Sequence, residues 1–390
     1  VPLGIMLWKR GLNKYRHHCT TALPLQKSPV MAAQSYLCDP TFKHASIIYR
    51  HKEMSMLFAT NRTPTQSARS KKGRKISFSM QNTSVSQDMY FCQRNGVDDY
   101  IEIGNKAFFQ ALKDLDNNTQ ILFYIHGFNN TGERDIFPDT EELQGMFDEI
   151  SPGLVHIIPL IWPCDDDATP AFIDDYWDDQ RASRASGGAF ARMLGLFDNW
   201  RKQEAEQKDP CTRRMNVLAH SMGNRVFRNA ISSWVKDDKC GGMPKLFRNV
   251  FMVAADVVNQ TLERKEKGRY IPHSARNVVV YYANDDLAMP ASKIANLKNM
   301  TVSRRLGMTG PESMSENKLD KNVYEVDCDD FNNSWGDKKG HTYFLRNKHN
   351  KISPVIYHMK HAIAGGRVTP DDRRHILRKP QQGGETDSVN

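Results

Sequence analysis

From residue 55 onward, short runs rich in β-branched and aromatic residues alternate with stretches whose apolar positions recur every three to four residues. The first pattern predicts strands over 56–60, 76–80, 99–103, 121–125, 155–161, 215–219, 250–255, 278–282 and 323–327. Between them the second pattern predicts helices. Residues 139–150 open on Asp139 as N-cap and carry Leu143, Met146, Phe147 and Ile150 on one side. Residues 178–206 turn Ala182, Ala185, Ala189, Met193, Leu194, Phe197 and Trp200 inward, and the segment after Ser221 does the same with Val226, Ala230, Ile231 and Trp234. Residues 354–364 begin with Ser353 as cap and Pro354 at the first helical position. Strands alternating with helices imply an α/β protein, with a mostly parallel sheet covered by helices on both faces. The organisation read from this is a basic extension over 1–50, one globular domain over 51–365 and a disordered tail over 366–390.

Within that frame one segment carries a chemical signature. Ala219-His220-Ser221-Met222-Gly223 joins the end of a buried-type strand to the start of a helix. This is the arrangement of a nucleophile elbow, with Ala in place of the first Gly of G-x-S-x-G, and it implies the α/β-hydrolase fold. So sharp a turn demands small residues two before and two after the nucleophile, and Ala219 and Gly223 meet the demand. The helix that follows turns its positive end toward a developing oxyanion. A second strand runs directly into His126-Gly127-Phe128. In this fold the loop after that strand supplies one N–H of the oxyanion hole and the residue after the nucleophile supplies the other, which points to Phe128 and Met222. His126 is read as a structural residue that fixes the loop.

A serine nucleophile needs a histidine to take its proton and a carboxylate to orient that histidine. The chain order in this fold is Ser, acid, His. His341, in Gly340-His341-Thr342, follows the strand 323–327, and Asp286 follows the strand 278–282; both lie just beyond strand ends, on the side of the sheet where open α/β folds build sites. Asp256, after the strand 250–255, and Asp285 compete with Asp286 for the role of acid. His273 precedes a strand, and His349, His358 and His361 lie in or near the last helix, so His341 is the expected base. Substrate-pocket walls are sought in Trp162, at the end of its strand, and in Tyr176 and Trp177. The last two belong to a stretch, 164–180, whose seven aspartates are read as a solvated loop.

Composition narrows the class without choosing the substrate. The 390 residues are 39% hydrophobic and 25% charged, which suits a folded chain and not a disordered one. No run approaches the roughly 18 uncharged apolar residues of a spanning helix. The net charge is +9, but Lys and Arg cluster densely only at 69–75, read as an exposed loop. Nucleic acid is therefore not expected as a partner, while peripheral contact with an anionic membrane stays open. Seven cysteines, an odd number with no C-x-x-C pair, favour a reducing, intracellular location. Residues 1–38 contain no acidic residue, as in an organellar targeting segment; a floppy basic extension, or sequence upstream of a start at Met31, are the other readings.

Several separated blocks resemble one known group. FATNR with Pro64, HGFNN at 126–130, IWP at 161–163, LAHSMGNR around Ser221, AADV at 254–257, YANDDLAM at 282–289 and GHTYF at 340–344 occur in the same order in a mainly bacterial family of α/β hydrolases of the esterase/lipase superfamily, catalogued as a domain of unknown function. The resemblance spans about residues 54–346. It implies Ser221 as nucleophile, His341 as base and Asp286 as the aligned acid, and it lends no substrate. The expectation is a serine hydrolase that cleaves an ester-type acyl bond of a small or lipid-like substrate, with no metal or organic cofactor in its mechanism. Alternatives are a thioesterase or amidase, or a binding or scaffold protein that keeps the fold without turnover.

Overall fold

The computed structural model describes residues 55–79, 83–164, 172–208, 210–237, 243–286, 304–336, 340–370 and 372–380, within the unit His51–Asn390. The basic extension, the end of the tail and the side chains of Tyr176 and Trp177 lie outside the described residues. Among the described residues eleven strands form one sheet: β1 (Met56–Arg62), β2 (Arg74–Ile76), β3 (Val85–Gly96), β4 (Asp99–Glu102), β5 (Gln120–Ile125), β6 (Val155–Ile161), β7 (Met215–His220), β8 (Phe247–Val253), β9 (Ala275–Tyr282), β10 (Val323–Asp327) and β11 (Arg374–Ile376). Their order is β11-β10-β9-β8-β7-β5-β6-β1-β3-β4-β2. From β11 to β1 every pairing is parallel; β3, β4 and β2 then add an antiparallel edge.

The central strands are buried on both faces, so each divides its residues between two cores. Ile121, Phe123 and Ile125 of β5, Val217 and Ala219 of β7 and Val250 and Met252 of β8 face one core. Leu122 and Tyr124, Leu218, and Phe251 and Val253 face the other. The first core is closed by α1 (Gly104–Lys113), α3 (Phe172–Ala205) and α4 (Gly223–Asp237), through residues such as Phe108, Phe190 and Val226. The second is closed by α2 (Phe137–Ile150) and by a C-terminal helix, Pro354–Ala364, through residues such as Phe147 and Ile356. That last helix starts as read: Ser353 accepts the Val355 N–H at 3.2 Å, Pro354 opens the first turn, and Gly365 ends it at φ 108.

Three expectations need correction. The acidic stretch 164–180 is not a loop throughout, because α3 begins at Phe172. Phe172, Ile173, Tyr176 and Trp177 recur at helical spacing, and the aspartates between them occupy the turns where a helix dipole favours negative charge. The tail is not disordered from 366: β11 pairs with β10, and Leu377 N–H donates to Asp327 at 2.9 Å. Finally, β2 ends at Ile76, and in the described part of the predicted strand 76–80 the pairing beyond it is an isolated bridge between Phe78 and Pro64, with Thr65 N–H donating to Ser77 C=O at 2.9 Å.

Candidate active site

The sharp turn between β7 and α4 holds Ser221 at φ 50, in the left-handed region that costs a non-glycine residue free energy. The surroundings enforce it. Ser221 N–H donates to Val253 C=O at 3.0 Å, Ser221 C=O accepts from Asp256 N–H at 3.1 Å, and the Asn224 amide donates to Ala219 C=O at 2.7 Å. A Cβ at Gly223 would stand 2.5 Å from the Ile125 carbonyl oxygen, which is the physical content of the demand for a small residue there. Met222 lies at the head of α4, where backbone N–H groups have no intrahelical acceptor.

The loop after β5 lies against this turn. A Cβ at Gly127 would come within 3.3 Å of Ser221 Cβ and 3.2 Å of His220 Nδ1, so the glycine is what lets the two segments approach. His126 supports the loop from beneath. It is fully buried, its ring stacks on Trp162 with centroids 5.2 Å apart, and Trp162 N–H donates to its Nε2 at 3.2 Å. Nε2 therefore accepts, Nδ1–H is left to donate to Gly127 C=O at 2.8 Å, and the tautomer is set. Burial drives its pKa down to about 3, so the ring stays neutral. Trp162, expected as a pocket wall, is instead part of this buttress: it is wholly buried and its indole N–H donates to His126 C=O at 2.9 Å. Phe128 stays partly exposed beyond the glycine, and Asn129, at φ 55, donates its N–H to the buried carboxylate of Asp179 on α3 at 3.1 Å.

His341 and Asp286, 55 residues apart in sequence, meet through Nδ1 and Oδ2 at 2.6 Å. Asp286 is 1% exposed and His341 8%. The competing carboxylates are engaged elsewhere. Asp256 lies between Arg225 and Arg305, each 3.3 Å away. Asp285 accepts from the amides of Asn332, at 2.6 Å, and Asn333. Among the other histidines, His273 pairs with Asp320 at 3.2 Å and His358 bonds the Tyr281 hydroxyl at 2.7 Å.

Sequence reasoning missed His220. Its ring lies 4.8 Å from those of both His341 and Phe344, and its Nε2 meets His341 C=O at 3.3 Å. Burial, then the neighbouring His341, holds its pKa well below the usual imidazole value, so it is a neutral donor that braces the His341 loop against the elbow. Nothing in the five-residue motif distinguishes it, since the position between Ala219 and Ser221 accepts many side chains. Among the described residues no group of three or more His, Cys, Asp or Glu is arranged to hold a metal ion, and no helix is long and apolar enough to cross a membrane.

Searches of curated proteins and of solved structures returned no match. A family model described as "Alpha/beta hydrolase of unknown function (DUF900)" matches residues 104–357, well over half of the 390-residue chain, and takes in the elbow, the loop after β5, Asp286 and His341. With that match, and a mostly parallel sheet clothed by helices on both faces, the chain belongs to this family of α/β hydrolases.

Proposed function

We propose that the protein is a serine hydrolase that cleaves carboxylic esters through an acyl-enzyme. The observation that carries the proposal is the 2.6 Å contact between His341 Nδ1 and Asp286. With Nδ1–H committed to the carboxylate, Nε2 is left as the base, and the imidazolium formed on proton uptake is stabilised. Ser221 Oγ attacks the ester carbonyl as its proton passes to His341 Nε2. The oxyanion is held by the N–H groups of Phe128 and Met222. His341 returns the proton to the departing alcohol oxygen as the C–O bond breaks. Water, deprotonated by the same histidine, then frees the acid from Ser221. An ester is preferred to an amide because an alcohol is a better leaving group than an amine; a thioester, whose thiolate leaves more readily still, is the alternative substrate class.

The test is pre-steady-state hydrolysis of p-nitrophenyl acetate and butyrate. The parent is expected to release a burst approaching one p-nitrophenolate per molecule before steady turnover, and Ser221→Ala to release none. Equal slow hydrolysis by both proteins would contradict the acyl-enzyme.

A further inference from the structure

Asp286 and His341 come from separate loops, and a third segment ties those loops together. β9 and β10 are parallel neighbours that end level, Tyr282 opposite Asp327, so the chain leaving β10 starts beside the chain leaving β9. It turns at once. Phe331 N–H and Asn332 N–H both donate to Cys328 C=O, at 3.2 and 3.1 Å, and a single 3₁₀ turn, Asn332–Ser334, follows. Buried Phe331 and Trp335 anchor this turn in the core with ring centroids 5.7 Å apart, and Phe331 packs edge-on to Tyr343, two residues past His341, at 6.4 Å.

On one side the turn grips the loop of Asp286. Asn284 N–H donates to Asp329 Oδ1 at 2.5 Å, and its side-chain amide donates to Oδ2 at 2.8 Å. Asp285 accepts from Asn332 Nδ2 at 2.6 Å and from Asn333 Nδ2. On the other side the same two asparagines meet the loop of His341. Asn332 Nδ2 reaches Gly340 C=O at a long 3.5 Å, and a Cβ at Gly340 would stand 2.9 Å from that nitrogen and 2.6 Å from Asn333 Oδ1. Asn332 is wholly buried, and the Asp285 carboxylate and the Gly340 carbonyl are both acceptors, so the donating end of its amide must face them.

Asp285 and Gly340 are the residues immediately before Asp286 and His341, so one buried amide spans the two loops where each delivers its side chain. A carboxylate is a strong acceptor, and its bond to the Asn332 amide fixes direction as well as distance. The 2.6 Å contact of Asp286 with His341 tolerates little drift of either loop. We infer that Asn332, with Asp285 as its acceptor, is a positioning residue that sets the Asp286–His341 contact. Asp285, a competitor for the role of acid in the sequence, thereby becomes the handle by which its neighbour is held. The bridge is geometric; its bearing on hydrolysis rests on Ser221, His341 and Asp286 acting as proposed.

Two quantities, measured in the full-length protein, in Asp285→Ala, in Asn332→Ala and in the double variant, test the bridge. The first is the rate constant of fluorophosphonate labelling at Ser221. The second is the downfield proton NMR signal of His341 Nδ1–H, identified by its absence from His341→Gln. Labelling is expected to slow at least about tenfold in each single variant. The double variant should stay within about threefold of the slower single one, because both residues act through one contact. The Nδ1–H signal should move upfield or broaden in the same variants, which a general loss of stability would not bring about in molecules that remain folded. Asp285 is exposed, so its variant carries the test even if Asn332→Ala does not fold. Labelling of Asp285→Ala within about twofold of the parent, or single effects that multiply in the double variant, would overturn the bridge. So would an Nδ1–H signal that stays in place while labelling slows. A parent that resists labelling altogether would refute the hydrolase reading, and the Nδ1–H signal alone would then decide whether the bridge sets the pair.

Discussion

The two ends of the same four strands are built on opposite plans. At the N-terminal ends of β5, β7, β8 and β9 a row of side-chain amides crosses the sheet. Asn277 donates to Asn249 at 2.8 Å, Asn249 to Asn216 at 2.8 Å and Asn216 to Gln120 at 3.3 Å, and Gln120 closes the row on Ile363 C=O at 2.8 Å. At the C-terminal ends the chain turns through left-handed residues that are not glycine. Ser221 follows β7 at φ 50, Ala254 follows β8 at φ 45, and Asn129 lies in the loop after β5 at φ 55. There the buried groups are ionisable: His220, Asp256, Asp286 and His341. Amides paired across neighbouring strands fix register at little electrostatic risk, whereas strain and buried charge persist only where surrounding structure enforces them. One end of the sheet serves stability, and the other spends stability on the geometry of a site.

That contrast can be broken from either end. The largest effect is expected from Asp286→Asn, which leaves a neutral amide against His341 Nδ1: ester turnover should fall about 10³- to 10⁴-fold while circular dichroism and melting stay near those of the parent. Next comes Gly307→Ala. Gly307 donates to Ala255 C=O at 3.0 Å and accepts from Ala283 N–H at 3.1 Å, and an added Cβ would collide with the backbone of Ala254 and Ala255. Because backbone cannot yield as a side chain can, denaturant unfolding should register a loss of about 3 kcal/mol, and activity should fall with it. Asn216→Ala, at the other end, should cost about 1–3 kcal/mol in the same assay, since it leaves the buried Gln120 amide oxygen without its donor and the Asn249 amide N–H with only a long 3.5 Å contact to Ala362 C=O. Its turnover, measured well below the melting temperature, should stay within about twofold of the parent, because distant independent sites are close to additive. If Asn216→Ala impaired turnover as much as Gly307→Ala does, the separation of the two ends would fail.

What the sequence discloses follows the range of the physics involved. The elbow was legible because its demand for small residues is local, and Ala219 and Gly223 satisfy it within two positions of Ser221. The carboxylate that pairs with His341 was not legible to the same degree. Asp256 and Asp286 both follow a strand, and what separates them is that Arg225 and Arg305 face the first while His341 faces the second. Those partners are tens of residues away in sequence. The longest strand, β3, escaped the period-two pattern because Met89, Tyr90, Phe91 and Cys92 are all buried while Gln87 and Asp88 are exposed. Helix α1 escaped for brevity: its ten residues bury only Phe108, Phe109 and Leu112. Neither the bracing of His341 by His220 nor the tether of Asn129 to Asp179 leaves a local trace, since each joins segments that meet only in the fold.

The central claim, an activated Ser221, is tested most directly by incubating the full-length protein with a fluorophosphonate and reading its mass and the modified peptide. One adduct per chain is expected, located on Ser221 and absent from Ser221→Ala. A folded parent that acquires no adduct, or one modified equally in the variant, would contradict it.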